Sequence, residues 1–299
     1  MVIAAIDLGT NTFDLLVGYS SDKELKILYH EKRWVGLGVD LYPEFNLSDE
    51  GISKAIECLS NYKVIGTSFG VEAYFCLGTS ALRDARNADT FIDRVKLRLD
   101  LDVRVIDGKE EAATVFKAIN YLNDRCSNGI IMDIGGGSTE FISFQQGEIT
   151  DVYSYDIGVT RILTTFDLPN SLSSENITLL KDFFNKKCDF VNVRQPMLIG
   201  SSGAFETFYR LLNSAELPRH QLVNLSLNQL IPLLDKLVCS SENERMEMDH
   251  VPAFRKKYLH IAALQVQWVI ETFGIHEVWV TSAGLCEGVM IQYLTLNER

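Results

Sequence analysis

The chain has 299 residues, with 28 Lys and Arg against 40 Asp and Glu for a formal net charge of −12. Hydrophobic residues make up 46% and charged residues 23%, a globular balance at a length that suggests two domains, with core enough to need no disulfide or metal staples. The acidic balance argues against broad attachment to nucleic acid or anionic membrane, and no apolar run approaches the roughly 20 residues of a membrane span.

In chain order, the N-terminus has no basic segment and soon meets Asp7, so it does not read as a signal peptide. Ala5 to Asp14 and the apolar run Leu15-Leu16-Val17 read as a hairpin. Ile52, Ala55, Ile56 and Leu59 then recur at helical spacing, after Ser48 as N-cap and Asp49-Glu50 in the first turn. Ala73 to Leu77 reads as a buried strand, Ile92, Val95 and Leu99 as a helix face, and Val103 to Ile106 as a short strand. Lys109 to Leu122 is a helix with Ala112, Val115, Phe116, Ile119 and Leu122 on one side. The polar, turn-rich stretch from Asn123 to Gly129 marks a domain boundary, giving domains at 1–124 and 125–299. Beyond it, Leu198 to Gly203 is a strand entering a Gly/Ser turn, Phe205 to Leu212 a helix, and Val278 to Ser282 a buried strand before a turn at Ala283-Gly284. Alternating strands and helices with antiparallel hairpins give an α/β architecture in two similar halves.

The similarity of the halves is written in one repeated pattern. Ile6-Asp7-Leu8-Gly9-Thr10-Asn11-Thr12-Phe13-Asp14 and Met132-Asp133-Ile134-Gly135-Gly136-Gly137-Ser138-Thr139-Glu140 share an apolar strand, Asp-x-Gly, small turn residues, Ser or Thr, and then an acid. Their separation is about one domain length, which fits a duplicated domain rather than a solenoid. Successive N–H groups in such a turn suit phosphate oxygens, and an Asp at the strand end, Asp7 or Asp133, can hold Mg²⁺ directly or through water. No Lys follows the glycines, so this is not a Walker A loop.

Three further features could carry chemistry. Glu110 and Glu111 open a helix after Gly108-Lys109; the helix dipole explains one of them, and the other could be a general base aimed at water. Gly200 to Gly203 precedes a helix and could bind an anion. Arg83 lies just past a buried strand, where active-site residues collect in α/β sheets. The cluster Arg255-Lys256-Lys257 stands out in so acidic a chain, either as a polyanion path or as a solvated helix face. Six scattered cysteines (Cys58, Cys76, Cys126, Cys188, Cys239, Cys286) read as buried or inert thiols of a reducing cytosol, and five dispersed histidines without HExxH argue against zinc.

These residues together resemble the exopolyphosphatase/guanosine pentaphosphate phosphatase family. The matching stretches are IDLGTNTFDLLV at 6–17, LGTSALRDARN at 77–87, VIDGKEEA at 105–112, MDIGGGSTEF at 132–141, IGVTRI at 157–162 and IGSSGAFE at 199–206. The resemblance implies two actin-like (ribonuclease H-like) domains of the actin, Hsp70 and sugar kinase superfamily, with a central cleft. It also implies a cytoplasmic, Mg²⁺-dependent hydrolase that releases the terminal phosphate of inorganic polyphosphate, of guanosine pentaphosphate, or of both. By that resemblance Glu111 is the base, Asp133 and Glu140 are metal-linked acids, and Gly135, Gly136, Gly137 and Ser138 cradle phosphate. Thr10, Asn11 and Thr12 form the first-domain phosphate turn, and Arg83 binds substrate. A homodimer is what the family suggests.

The chain departs from the family pattern at Asp14, where many members carry Arg, and at Ala204, where the turn usually closes with Thr. It departs again at Arg255-Lys256-Lys257 in place of Arg-Ala-Asp, and at Ser282 and Cys286, where an acid and an arginine are lost. The resemblance covers the two actin-like domains and not the helical domain that longer members append. The leading reading is an exopolyphosphatase, and the runner-up a guanosine pentaphosphate 5′-phosphatase. A catalytically weak sensor of polyphosphate or alarmone is argued against by Glu111, Asp133 and Glu140. A sugar kinase lacks its sugar-facing catalytic Asp region here.

Overall fold

The computed structural model describes residues 1–21, 24–121, 128–169, 171–190 and 195–296, with side chains to 293. The chain divides into two compact units, residues 1–121 with 284–299, and residues 122–283.

The first unit opens with β1 (Ile3–Leu8), β2 (Thr12–Ser21) and β3 (Glu24–Trp34). Every residue of β1 except Asp7 is buried, as befits a central strand with helices on both faces. By contrast β3 is the sheet edge; its Glu, Lys, His and Arg side chains hid it from an apolar-pattern search and also protect the edge. Next comes α1 (Asp49–Ser68), whose Ser48 hydroxyl accepts the Gly51 N–H at 3.1 Å, so the sequence-based cap is observed. Then follow β4 (Ala73–Gly78), the short α2 (Ser80–Asp84), α3 (Ala88–Leu99), β5 (Val103–Val105) and α4 (Gly108–Tyr121). On α3 the fully buried positions are Phe91 and Val95, while Ile92 and Leu99 pack partly at the rim of the core.

The second unit contains β6 (Asn128–Ile134), β7 (Thr139–Gln145), β8 (Glu148–Tyr155), α5 (Val159–Phe166), α6 (Ser174–Lys187), β9 (Met197–Ser201), α7 (Gly203–Asn213), β10 (Val223–Leu225), α8 (Leu227–Cys239), α9 (Glu242–Glu247), α10 (Ala253–Lys256), α11 (Leu259–Phe273) and β11 (Glu277–Val280). The last element is α12 (Leu285–Leu296).

The two sheets explain the repeated sequence pattern. The first runs β3-β2-β1-β4-β5 and the second β10-β11-β9-β6-β7-β8. Read from β8, the second sheet repeats the first strand for strand: two antiparallel pairings, then two parallel ones, with β10 added beyond β11. Each unit buries its own core. Leu8, Phe13, Leu59 and Phe91 belong to the first, and Phe141, Leu198, Phe205 and Val266 to the second.

The expected domain limits need correction. Of the boundary stretch, residues 123–127 lie outside the described residues, while Asn128 and Gly129 already belong to β6. The final helix leaves the second unit altogether: Cys286 and Met290 of α12 are buried with Ile3, Ala5 and Leu16 of the first sheet. Gly288 lies so close to α4 that a Cβ there would meet the Thr114 carbonyl oxygen at 2.0 Å. The composition of a helix tells that it has an apolar face, but not which sheet that face covers.

Candidate active site

The two Asp-x-Gly turns are the same structure built from different residues. In the first, the Gly9 N–H donates to the Thr12 carbonyl at 3.1 Å; in the second, the Gly135 N–H donates to the Ser138 carbonyl at 3.0 Å. Register then places Asp7 opposite Asp14 and Asp133 opposite Glu140. Directly opposite residues of an antiparallel pair share a face, so each hairpin presents two carboxylates side by side. Glu140 is buried and its Oε1 accepts the Ser154 hydroxyl at 2.7 Å, whereas Asp133 is partly open.

Both turns have their carbonyls tied back. The Asn11 carbonyl accepts the Val35 and Gly36 N–H groups at 2.9 and 2.8 Å, and the Thr10 carbonyl accepts that of Gly38 at 2.8 Å. In the second unit α5 plays this part. The N–H of Val159 reaches the Gly135 carbonyl at 3.1 Å, and those of Thr160 and Arg161 reach Gly136 at 2.8 and 3.1 Å. A peptide whose oxygen faces inward turns the following N–H outward. Among the described residues, the N–H groups of Thr10, Gly136 and Gly137 donate to nothing within the protein. Outward N–H groups in a tight turn form an anion-binding nest.

In the second turn Gly135 is needed for close approach, since a Cβ there would meet the Ser138 carbonyl oxygen at 2.9 Å. The positive-φ glycines among the described residues are Gly36, Gly70, Gly147 and Gly274, none of them in this turn. Instead Gly158, ahead of α5, lies against it: a Cβ there would meet Gly137 C at 2.4 Å and Gly136 C at 2.5 Å.

The paired glutamates separate cleanly. Asp107 caps α4: its Oδ1 accepts the N–H groups of Lys109 and Glu110 at 2.9 and 2.8 Å, and the Glu110 N–H holds its carboxyl below the usual carboxylate range. With the helix so started, Glu110 points to an exposed pairing with Arg104. Glu111 turns the other way and meets Arg83, with Nη1 to Oε2 at 3.1 Å. Arg83 also donates to the Ile106 carbonyl at 2.9 Å, and Glu111 keeps 15% of its side chain exposed. Thus two residues picked separately from the sequence stand in contact, and the cap that aims them, Asp107, had been missed although Asp before Gly-Lys is a helix-start signal.

The departures from the family pattern sit in well-made surroundings. Asp14 meets His30 Nε2 at 2.7 Å and Lys32 Nζ at 3.3 Å; burial pushes its carboxyl up, but the Lys32 charge and the contact with His30 outweigh that and hold it below the usual range. Cys286 is buried, its thiol donating to the carbonyls of Ala5 and Asp14 at 3.7 and 3.5 Å, and burial raises it well above an ordinary thiol. Neighbouring Glu287 is also pushed up, first by burial and then by the charge of Asp14. The described cysteines are free; four are buried, Cys239 is exposed, and Cys126 lies outside the described residues.

The Gly200-to-Gly203 turn does enter a helix, with Ser202 as the residue before α7 at φ +93° and ψ 167°, a conformation that a side chain disfavours. The basic cluster does not form one solvated stripe. Arg255 is 14% exposed and bonds Glu206 Oε2 at 3.3 Å and Thr207 Oγ1 at 3.2 Å. Lys256 donates to the Met246 carbonyl at 2.6 Å, and only Lys257 is exposed, its Nζ 5.9 Å from the Tyr258 ring centre. Consequently Arg255→Glu should cost about 3 kcal/mol or more by setting a carboxylate against Glu206, and Lys257→Glu about 1 kcal/mol or less. Urea unfolding of the two variants checks this; equal losses would restore the surface reading.

Comparison with known proteins places this geometry. The Ppx/GppA phosphatase family model matches residues 16–297. The chain belongs to that family. An exopolyphosphatase from Cytophaga hutchinsonii, solved by crystallography, superposes with a TM-score of 0.94 at 28% identity, over 99% of this chain and 98% of that one. A putative exopolyphosphatase of Haemophilus influenzae is 26% identical over 96% of this chain and 90% of its own. A guanosine-5'-triphosphate,3'-diphosphate pyrophosphatase of Aeromonas hydrophila is 25% identical over 99% of this chain, which spans 60% of that relative's length. As a Ppx/GppA member the chain carries the actin-like α/β fold in each unit. No helix among the described residues is long and apolar enough to cross a membrane.

Proposed function

We propose that this Ppx/GppA member is a magnesium-dependent exopolyphosphatase, releasing the terminal phosphate of inorganic polyphosphate by attack of a water directed by Glu111. The observation that carries this reading is the Glu111–Arg83 pair at 3.1 Å, a carboxylate base fixed beside a cation in the first turn of α4. Phosphoryl transfer asks mainly for positioning and charge stabilisation, and these residues supply both without a nucleophilic Ser or Cys.

In the proposed reaction Glu111 Oε takes a proton as water oxygen bonds the terminal phosphorus. The bridging P–O bond breaks, and its electron pair stays with the shortened chain. In the first unit the Arg83 guanidinium, already oriented by the Ile106 carbonyl, and the Thr10 N–H offer donors to phosphate oxygens; in the second unit the outward N–H groups of Gly136 and Gly137 offer the same. Asn11, Thr12, Gly135 and Ser138 complete the two turns.

The donor chemistry fits Mg²⁺. No closed group of three or more His, Cys, Asp and Glu ligands exists among the described residues. Mg²⁺ does not ask for one, since it is usually held by one or two carboxylates, waters and substrate phosphates. Asp133 and Glu140, opposed across the hairpin, would hold it in the second unit, and Asp7 offers the same kind of oxygen in the first. When bound, the ion would neutralise phosphate charge.

Orthophosphate release from long-chain polyphosphate and from guanosine pentaphosphate, measured in parallel with Mg²⁺ and with EDTA, tests this proposal. Release from polyphosphate that EDTA abolishes is expected. Turnover of guanosine pentaphosphate alone would shift the assignment to the alarmone, and binding without turnover would make the chain a sensor.

A further inference from the structure

The carbonyl of Gly137 accepts a side-chain donor as well as a backbone one. It accepts the Gly158 N–H at 3.3 Å and, more closely, Arg161 Nε at 2.7 Å. Arg161 is 12% exposed, and its Nη2 lies 3.3 Å from Asp156 Oδ1; Asp156 also meets Lys187 Nζ at 3.6 Å. In the first unit the corresponding carbonyls of Thr10 and Asn11 accept the backbone N–H groups of Gly38, and of Val35 and Gly36.

From this arrangement we infer that Arg161 is a positioning residue of the phosphate turn, acting through the Gly137–Ser138 peptide rather than on substrate. Its guanidinium charge reaches the turn through one peptide plane. A carbonyl that accepts a charge-assisted bond has its oxygen fixed, and the N–H on the other side of that peptide is both oriented and made a stronger donor. The backbone N–H groups of α5 do the same for Gly135 and Gly136, so three successive peptides are set with oxygens inward. Asp156 completes the device by fixing the plane of the guanidinium, since its carboxylate takes the Nη2 edge while Nε faces Gly137. The role rests on the phosphatase reading only for its catalytic consequence; the peptide geometry stands apart from it.

A positioning role and a direct phosphate contact predict different results. Lysine keeps the charge but lacks the Nε–H edge that meets the Gly137 carbonyl, and it cannot form the planar pairing with Asp156. Arg161→Lys and Arg161→Gln should therefore lower kcat alike, by about 10–100-fold as for other residues that orient a site from behind it, with KM moving little. Asp156→Asn should give a smaller loss that vanishes in the Arg161→Gln background. Guanidinium ion added to Arg161→Gly should restore part of the activity. Backbone amide resonances of Gly137 and Ser138 provide a readout independent of turnover: they should shift in Arg161→Lys and respond less to added orthophosphate than in the wild-type protein. If Arg161→Lys keeps near-full kcat, or the Ser138 amide is unmoved in the variants, the inference is overturned. A wild-type protein that releases no phosphate from either substrate would defeat the phosphatase reading, while the amide shifts would still decide the role of Arg161.

Discussion

Glu111→Gln is expected to lower kcat for phosphate release by about 10²–10⁴-fold, the usual contribution of a general base, with little change in KM. Glutamine keeps the length and shape of the side chain, and its carbonyl oxygen can still accept the Arg83 Nη1–H now found 3.1 Å from Oε2. What it loses is the ability to take a proton from water. The loss should thus appear in turnover, with the thermal midpoint close to that of the wild type. Glu110→Gln is the matched control: Glu110 pairs with exposed Arg104 on the other side of the helix, and its kcat should be unchanged. If Glu111→Gln remained near full activity, Glu111 would have no part in the chemistry, and equal losses in both variants would point to damage at the start of α4.

Gly158→Ala is expected to damage both activity and stability through a single methyl group. The new Cβ would overlap the backbone of Gly136 and Gly137 at about 2.5 Å, and neither neighbour is a flexible side chain that could swing away. Either α5 or the turn must shift. Overpacking of this kind costs about 1–3 kcal/mol, and a displacement near 1 Å at a positioned site can cost about 10²-fold in rate. Unlike Glu111→Gln, this variant should also bind orthophosphate more weakly, because the outward N–H groups of Gly136 and Gly137 move with the turn. Unfolding by urea, orthophosphate titration and initial rates would be measured on the same preparation. A variant as stable, as tightly binding and as active as wild type would show that the turn is not held from behind by α5.

Much of the site was legible because the chemistry is local. The two Asp-x-Gly turns announce themselves in a few residues each, and the structure gives them matching hydrogen bonds and matching acid pairs. Glu110 and Glu111 were visible as a pair, which only the family resemblance split in favour of Glu111; the residues alone did not say which of them would meet Arg83. That choice is made by the Asp107 cap, which sets where the helix starts and so which way each side chain points. Arg83 was singled out by its place after a strand, although its partners, Glu111 and the Ile106 carbonyl, come from later in the chain.

What escaped depends on contacts made across long stretches of chain. The Arg255 cluster looked like a solvated or substrate-facing stripe, because nothing nearby in sequence reveals Glu206 and Thr207 as its partners. The edge strand β3 is polar along much of its length, so an apolar search passed over it; its pairing with β2 also brings His30 and Lys32 to Asp14. The return of α12 to the first sheet rests on the fit of Cys286, Met290 and Gly288, a matter of packing rather than of pattern.

The most direct test of the account is hydrolysis of polyphosphate in water enriched in heavy oxygen, run for the wild-type protein and for Glu111→Gln. Water directed at the terminal phosphorus predicts heavy oxygen in the released orthophosphate and none in the shortened chain, at a rate that falls by about 10²-fold or more in the variant. Heavy oxygen in the shortened chain, or orthophosphate labelled equally fast by both proteins, would contradict it.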